Sequence, residues 1–168
     1  MMFTNFDSQT PHLDDLPAMM ALWRERMMII SQSTPHLRRH IQAETDHIAQ
    51  LTTWLSDERV KMVCAKQNNI LIGYMVCLWR DNIPLISDMA LDAHTYHRGL
   101  AKGLFSDLQT HFIGTTSQPI IIRVARYYAV EQAFWRGLGA TEWTNQTWEI
   151  NPLYQWMRLS SVPPTKPI

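Results

Sequence analysis

Residues 98 to 103 read Arg98-Gly99-Leu100-Ala101-Lys102-Gly103, a run of small residues carrying two cations. The run follows a strand-like stretch that ends at Leu91. It opens a stretch of helical spacing with apolar positions Leu104, Phe105, Leu108 and Phe112. The first turn of a helix holds backbone N–H groups with no acceptor inside the helix, together with a partial positive charge. Set directly beyond a strand, those donors suit phosphate oxygens above the strand end. Glycine and alanine matter because a longer side chain would hold a pyrophosphate off the backbone. A diphosphate-bearing cofactor is the ligand this chemistry predicts. Asp88, Asp92, His94 and His97 stand next to the segment as candidate proton acceptors.

Composition narrows the partners. Lys plus Arg and Asp plus Glu both total 15, and no basic run exceeds Arg38-Arg39. Nucleic-acid binding relies on clustered cations to neutralise phosphates, so a small-molecule or peptide partner fits better. Cys64 and Cys77 lie in apolar runs without the spacing of a zinc site, so no metal is expected. Two buried free thiols suit a reducing cytosol. There is no signal-like start and no apolar segment near the roughly 20 residues of a membrane helix. A cytoplasmic protein with no membrane partner is expected.

The spacing also predicts the elements that must position the segment. Leu13, Leu16, Met20, Trp23, Met27 and Ile30 trace one face of a helix, with Pro17 in its first turn. After a loop around Ser31 to Pro35, a second helix places Ile48, Leu51 and Leu55 on one side. Strand-like runs follow at Val60 to Lys66, Ile70 to Trp79 and Pro84 to Leu91, joined by short turns into an antiparallel meander. Beyond the helix at Leu104 comes a buried strand, Ile120 to Val124. A further helix puts Val130, Phe134 and Leu138 on one side, and strands near Glu142 to Glu149 and Leu153 to Leu159 close the chain. The 168 residues, 46% of them hydrophobic, suit a single domain over residues 1–160 with a Pro-rich tail at 161–168.

The segment resembles the acetyl-CoA loop of the GNAT superfamily of N-acetyltransferases, whose pattern is Arg/Gln-x-x-Gly/Ala-x-Gly/Ala. Arg98, Ala101 and Gly103 occupy its defined positions. Phe134-Trp135-Arg136-Gly137-Leu138-Gly139 lies where that superfamily has a helix of the form aromatic-Tyr-x-x-x-Gly, and Ile70 to Tyr74 resembles its first hairpin. The similarity covers residues 10 to 160. It implies an α/β (α+β) fold, a mixed and mostly antiparallel sheet of about six to seven strands with helices on both faces. It further implies acetyl-CoA as co-substrate, held by Met89, Ala90, Leu91, Arg98, Gly99, Leu100, Ala101, Lys102, Gly103 and Phe134. Three departures stand out. The loop between Leu91 and Arg98 is about two residues longer than usual, Trp135 replaces the usual tyrosine, and Tyr128 replaces a common asparagine.

Acetyl transfer to an amine needs an unprotonated amine, a donor for the developing oxyanion, and tolerance of the departing thiolate. A backbone N–H near Leu91 serves as the donor. Asp88 is the first candidate for the base, with Asp92, His94, His97 and Glu142 behind it. The indole of Trp135 is too weak an acid to reprotonate a thiolate, which brings Tyr128 or Tyr127 forward. Trp54, Trp79, Trp143 and Trp148 are open to two readings, an acceptor pocket or a homodimer face. The acceptor itself, a primary amine of a small molecule or peptide, is not specified by the residues. The missing tyrosine also admits a non-catalytic acyl-CoA-binding sensor or partner subunit.

Overall fold

The structure, a computed structural model, describes residues 7–94, 99–114, 118–145, 147–148 and 151–160. A three-residue strand, Asp7–Gln9 (β1), precedes the first helix and is not announced by the sequence pattern. A 3-10 turn over Leu13–Asp15 leads into α1, Leu16–Ser33, with Pro17 in the first turn, where a missing N–H breaks no hydrogen bond. Met20, Trp23, Met27 and Ile30 form its buried stripe. Leu13 does not join them and is 61% exposed, because the tighter 3-10 turn breaks the register before α1 begins. The expected loop after α1 is a second 3-10 segment, Pro35–His40, and α2 follows at Glu44–Ser56.

Strands β2 (Lys61–Gln67), β3 (Ile70–Arg80) and β4 (Ile83–Leu91) form the meander. Its two hairpins turn on Asn68-Asn69, with φ of 52° and 62°, and on Asp81-Asn82, with φ of 52° and 63°. A two-residue turn that matches strand twist needs left-handed backbone at both central positions, which Asn and Asp tolerate. Next come α3 (Leu100–Leu108), prolonged by a π turn over Gln109–Ile113, then β5 (Ile120–Ala125) and α4 (Ala129–Gly137). Strands β6 (Thr141–Glu142) and β7 (Tyr154–Leu159) complete the fold.

The seven strands lie in the order β1-β2-β3-β4-β5-β7-β6, antiparallel except where β4 meets β5. This is the mixed sheet that the resemblance implies. Strand alternation sorts side chains onto its two faces. Met62, Cys64, Tyr74, Val76 and Ala90 pack under α1 and α2, while Val63, Ala65, Met75, Met89 and Leu91 pack under α3 and α4.

Two expectations need correction. On α4 the buried positions are Glu131 and Trp135, four apart, whereas Val130 is 47% exposed and Phe134 and Leu138 are half-buried. Glu131 on the buried face is held in an ion pair, described below, that a purely apolar count cannot register. The strand expected over Glu142 to Glu149 is only two residues long. After Trp143 donates to the Trp156 carbonyl, Asn145 folds the chain into a turn by accepting the Thr147 amide at 2.9 Å. Trp148 is thereby laid into a small cluster with Leu85, Ile121 and Trp156.

Candidate functional site

Strands β4 and β5 pair only at Leu85 with Ile121 and at Ile86 with Ile122. Both continue past that point, to Leu91 and Ala125, without pairing further with each other. The separation starts at a bulge. Cys77 of β3 opposes Ile86, but Val76 opposes Asp88, so Ser87 is the extra residue on β4. An extra residue bends and twists its strand, which turns β4 away from β5. Beyond the strand end, the Asp92 amide donates to Ile72 at 2.8 Å, toward β3. Alternation therefore turns the amides of Met89 and Leu91 toward the gap. The Met89 amide is taken by Asp88 Oδ1 at 3.1 Å. The Leu91 amide faces the gap where an oxyanion donor is expected.

Just past β4, Gly99 caps α3 with φ 79° and ψ 11°, a left-handed conformation that glycine adopts without strain. A side-chain carbon added there would meet nothing within 4 Å among the described residues. The first helical bond runs from the Gly103 amide to the Gly99 carbonyl at 3.0 Å. The amides of Leu100, Ala101 and Lys102 thus precede the helical ladder and have no backbone acceptor among the described residues, while that of Gly103 is committed to the helix. Leu100 and Ala101 are buried and anchor the turn, and the Lys102 side chain is exposed. Beneath them, a carbon added at Gly73 would come within 2.5 Å of Leu91 and 3.3 Å of Leu100, so glycine is what lets α3 sit this close to β3. Arg98 and His97 lie outside the described residues.

Asp88 faces α1 and is 1% exposed. Its carboxylate accepts the Tyr74 hydroxyl at 2.9 Å and Arg26 Nη1 at 3.2 Å, and His47 Nε2 stands 3.4 Å away, a long contact. Arg26 also grips Glu131 through Nε at 3.0 Å and Nη2 at 2.8 Å. Burial by itself would raise the Asp88 pKa. The contact with His47 and the charges of Arg26 and Arg123 outweigh burial and hold the carboxyl at about 2. A carboxylate this weakly basic and this enclosed is a poor proton acceptor at neutral pH, which argues against the expected role of Asp88 as general base.

Tyr128 precedes α4 and is buried in the core under α1 and α2, next to the end of β5. Tyr127 is 43% exposed. Phe134 is half-buried, its ring 4.7 Å from that of Trp135. Trp135 is fully buried, edge-on to Phe105 at 5.2 Å, and its Nε1 has no hydrogen-bond partner among the described residues. Asp92 accepts the His94 amide at 3.0 Å, and Glu142 is an exposed partner of Arg136 at 3.5 Å. Trp143 and Trp148 line a cavity of about 200 Å³ beyond the end of β5, with Arg126, Glu142 and Gln155.

The sequence reading missed Arg26, His47, Tyr74 and Glu131. A signal for Arg26 was present, since a charged residue sits among Trp23, Met27 and Ile30 on the apolar stripe of α1. Buried charges must be paired, so its position already called for a partner. Tyr74 and Glu131 carry no such mark.

No family model and no curated protein matches the sequence. Solved structures do match the fold. An acetyltransferase of the GNAT family from Staphylococcus aureus Mu50 superposes with a TM-score of 0.72 at 10% identity, over 94% of this chain and all (100%) of that one. An acetyltransferase from Thermus thermophilus gives 0.70 at 14% identity, over 95% and 99% of the two chains. The PaiA N-acetyltransferase of Thermoplasma acidophilum, solved in complex with coenzyme A, gives 0.65 at 13%, over 94% and 99%. Likeness at such identities speaks to architecture, and the chain has the fold of the GNAT-family acetyltransferases.

Proposed function

We propose that this chain is an N-acetyltransferase that transfers the acetyl group of acetyl-CoA to a primary amine of a small molecule or peptide by direct attack. The observation that carries the reading is the stretch over which β4 and β5 no longer pair with each other, which ends beside the first turn of α3. The residues suit the cofactor. The amides of Leu100, Ala101 and Lys102 offer donors for its diphosphate, and the Gly99 cap leaves room for close approach. When bound, acetyl-CoA supplies the acetyl group as an activated thioester. The Leu91 amide donates to the carbonyl oxygen as negative charge develops there.

No side-chain base is assigned, because Asp88 is locked in its ion network. The acceptor arrives deprotonated from solution, so the rate follows the ionisation of the amine itself. Tyr128 is the proposed proton donor to the departing thiolate, a supporting role because a thiol of pKa near 8.5 leaves readily near neutrality.

The test is thermal melting with and without CoA, followed by thiol release from acetyl-CoA across a panel of amines. Saturation at about 100 times Kd stabilises the native state by about 2.7 kcal/mol, an upward shift of roughly 5–10 °C for a chain of this size. No shift at saturating CoA sinks the reading. A second reading, binding of acyl-CoA without transfer, is favoured by Trp135 at the position of the expected tyrosine and by the absence of a free carboxylate at Asp88. A melting shift without thiol release for any amine selects it.

A further inference from the structure

Where β4 and β5 part, backbone amides on both sides lose the neighbouring strand as their acceptor, and two carboxylates take its place. Asp88 Oδ1 accepts the Met89 amide at 3.1 Å, and Glu131 Oε1 accepts the Ala125 amide at 3.0 Å. One carboxylate sits on β4. The other projects from α4 onto the last residue of β5. Arg26, reaching in from α1, joins them with one contact to Asp88 and two to Glu131. Asp88, Arg26 and Glu131 are exposed by only 1%, 3% and 0%. The bridge therefore runs from the Met89 amide through Asp88, Arg26 and Glu131 to the Ala125 amide. It spans the opening that begins once the ladder stops at Ile86 and Ile122. A guanidinium is a flat, rigid fork whose donors match carboxylate oxygens in fixed directions. Such a bridge fixes a distance, which sliding apolar contacts cannot do.

We infer that Arg26 is a positioning residue that sets the width of the gap between β4 and β5 and thereby restricts the acyl group admitted there to a short one. The inference rests on the acyl-CoA reading above. The gap is bordered on its α1 side by Arg26, Asp88 and the Tyr74 hydroxyl, polar groups against which a chain longer than acetyl would have to pack. Extra methylenes would strip water or hydrogen-bond partners from buried charges and supply nothing in return.

The test compares wild type with Arg26→Lys and with the triple variant Arg26→Met/Asp88→Asn/Glu131→Gln. The triple variant neutralises Arg26 together with both of its carboxylate partners and keeps an acceptor oxygen for each amide. Amide hydrogen exchange is followed at Met89 and Ala125, with Ile121 and Ile122 in the intact ladder as internal controls. Calorimetry then gives the affinities for acetyl-CoA and butyryl-CoA. In the triple variant, exchange at Met89 and Ala125 should accelerate about tenfold or more while the controls hold, a local rather than global opening. The preference for acetyl-CoA over butyryl-CoA should fall about tenfold, with Arg26→Lys intermediate because an ammonium cannot hold both carboxylates in the same geometry. A general loss of packing would lower both affinities together and leave their ratio in place. Wild-type exchange at both amides, or an unchanged affinity ratio in a folded variant, overturns the inference. Arg26→Lys carries the same comparison if the triple variant does not fold. Wild-type protein that binds no CoA overturns the function proposed above instead, and the exchange measurement still decides whether Arg26 ties the strands.

Discussion

Asp88 keeps its charge at 1% exposure because Arg26, Tyr74 and its own neighbour's amide surround it with donors. Its pKa is lowered from 3.8 to about 2, so the folded state favours the ionised form. The stabilisation is complete above the unfolded value and is lost as pH falls through the folded one, between about pH 4 and pH 2. Its size is about 2 kcal/mol from the shift itself. Asp88→Asn should remove this acid limb from the dependence of stability on pH, as chemical denaturation at stepped pH will show. The same variant should leave the apparent pKa of the pH–rate profile in place, since Asp88 stays ionised throughout the working range. Movement of that pKa would restore Asp88 as the base. Tyr128→Phe should lower kcat by less than about tenfold, in keeping with a leaving group that needs little help. A loss of a thousandfold would make the phenol indispensable and contradict that role.

At the scale of elements, the first turn of α3 is the part on which cofactor binding depends. Gly103→Glu places a carboxylate beside the amides of Leu100, Ala101 and Lys102, where it competes with a diphosphate and repels it. The affinity for CoA should drop about 100-fold, or about 2.7 kcal/mol, by calorimetry. Glutamate has the higher helix propensity, so the melting temperature of the unliganded protein should not fall with it. Equal CoA affinity in that variant would count against the loop assignment. On α4 an ionic contact and an aromatic anchor share the buried face. Glu131 meets Arg26, Trp135 one turn later lies in the core, and Val130 is exposed.

At the scale of the molecule, two apolar layers share one sheet, α1 and α2 on one side and α3 and α4 on the other. Strands β3 and β4 contribute to both layers, which couples them. Urea unfolding should therefore follow a single transition that coincides for fluorescence and circular dichroism. Two separated transitions would show that the layers unfold independently. Cys64 and Cys77 lie within these layers, and burial pushes their thiols up to about 11 and about 12. A disulfide reagent at pH 8 should label neither in the folded protein and both in urea, because reactivity belongs to the exposed thiolate.

Local rules carried much of this fold. The stripe of α1, the two Asn- and Asp-bearing turns, and the small residues opening α3 are short-range patterns whose physics is complete within a few residues, so the sequence alone determined them. The order of elements likewise pointed to a mixed sheet with helices packed on it, and the resemblance to the GNAT superfamily implied helices on both faces. What joins residues far apart was decided only by tertiary structure: the parting of β4 from β5, the short β6, and the meeting of Arg26, Asp88 and Glu131. The reason is physical. Whether a carboxylate is a base or a buried counter-ion depends on what the rest of the chain brings to it, and Arg26 lies 62 positions from Asp88 and 105 from Glu131.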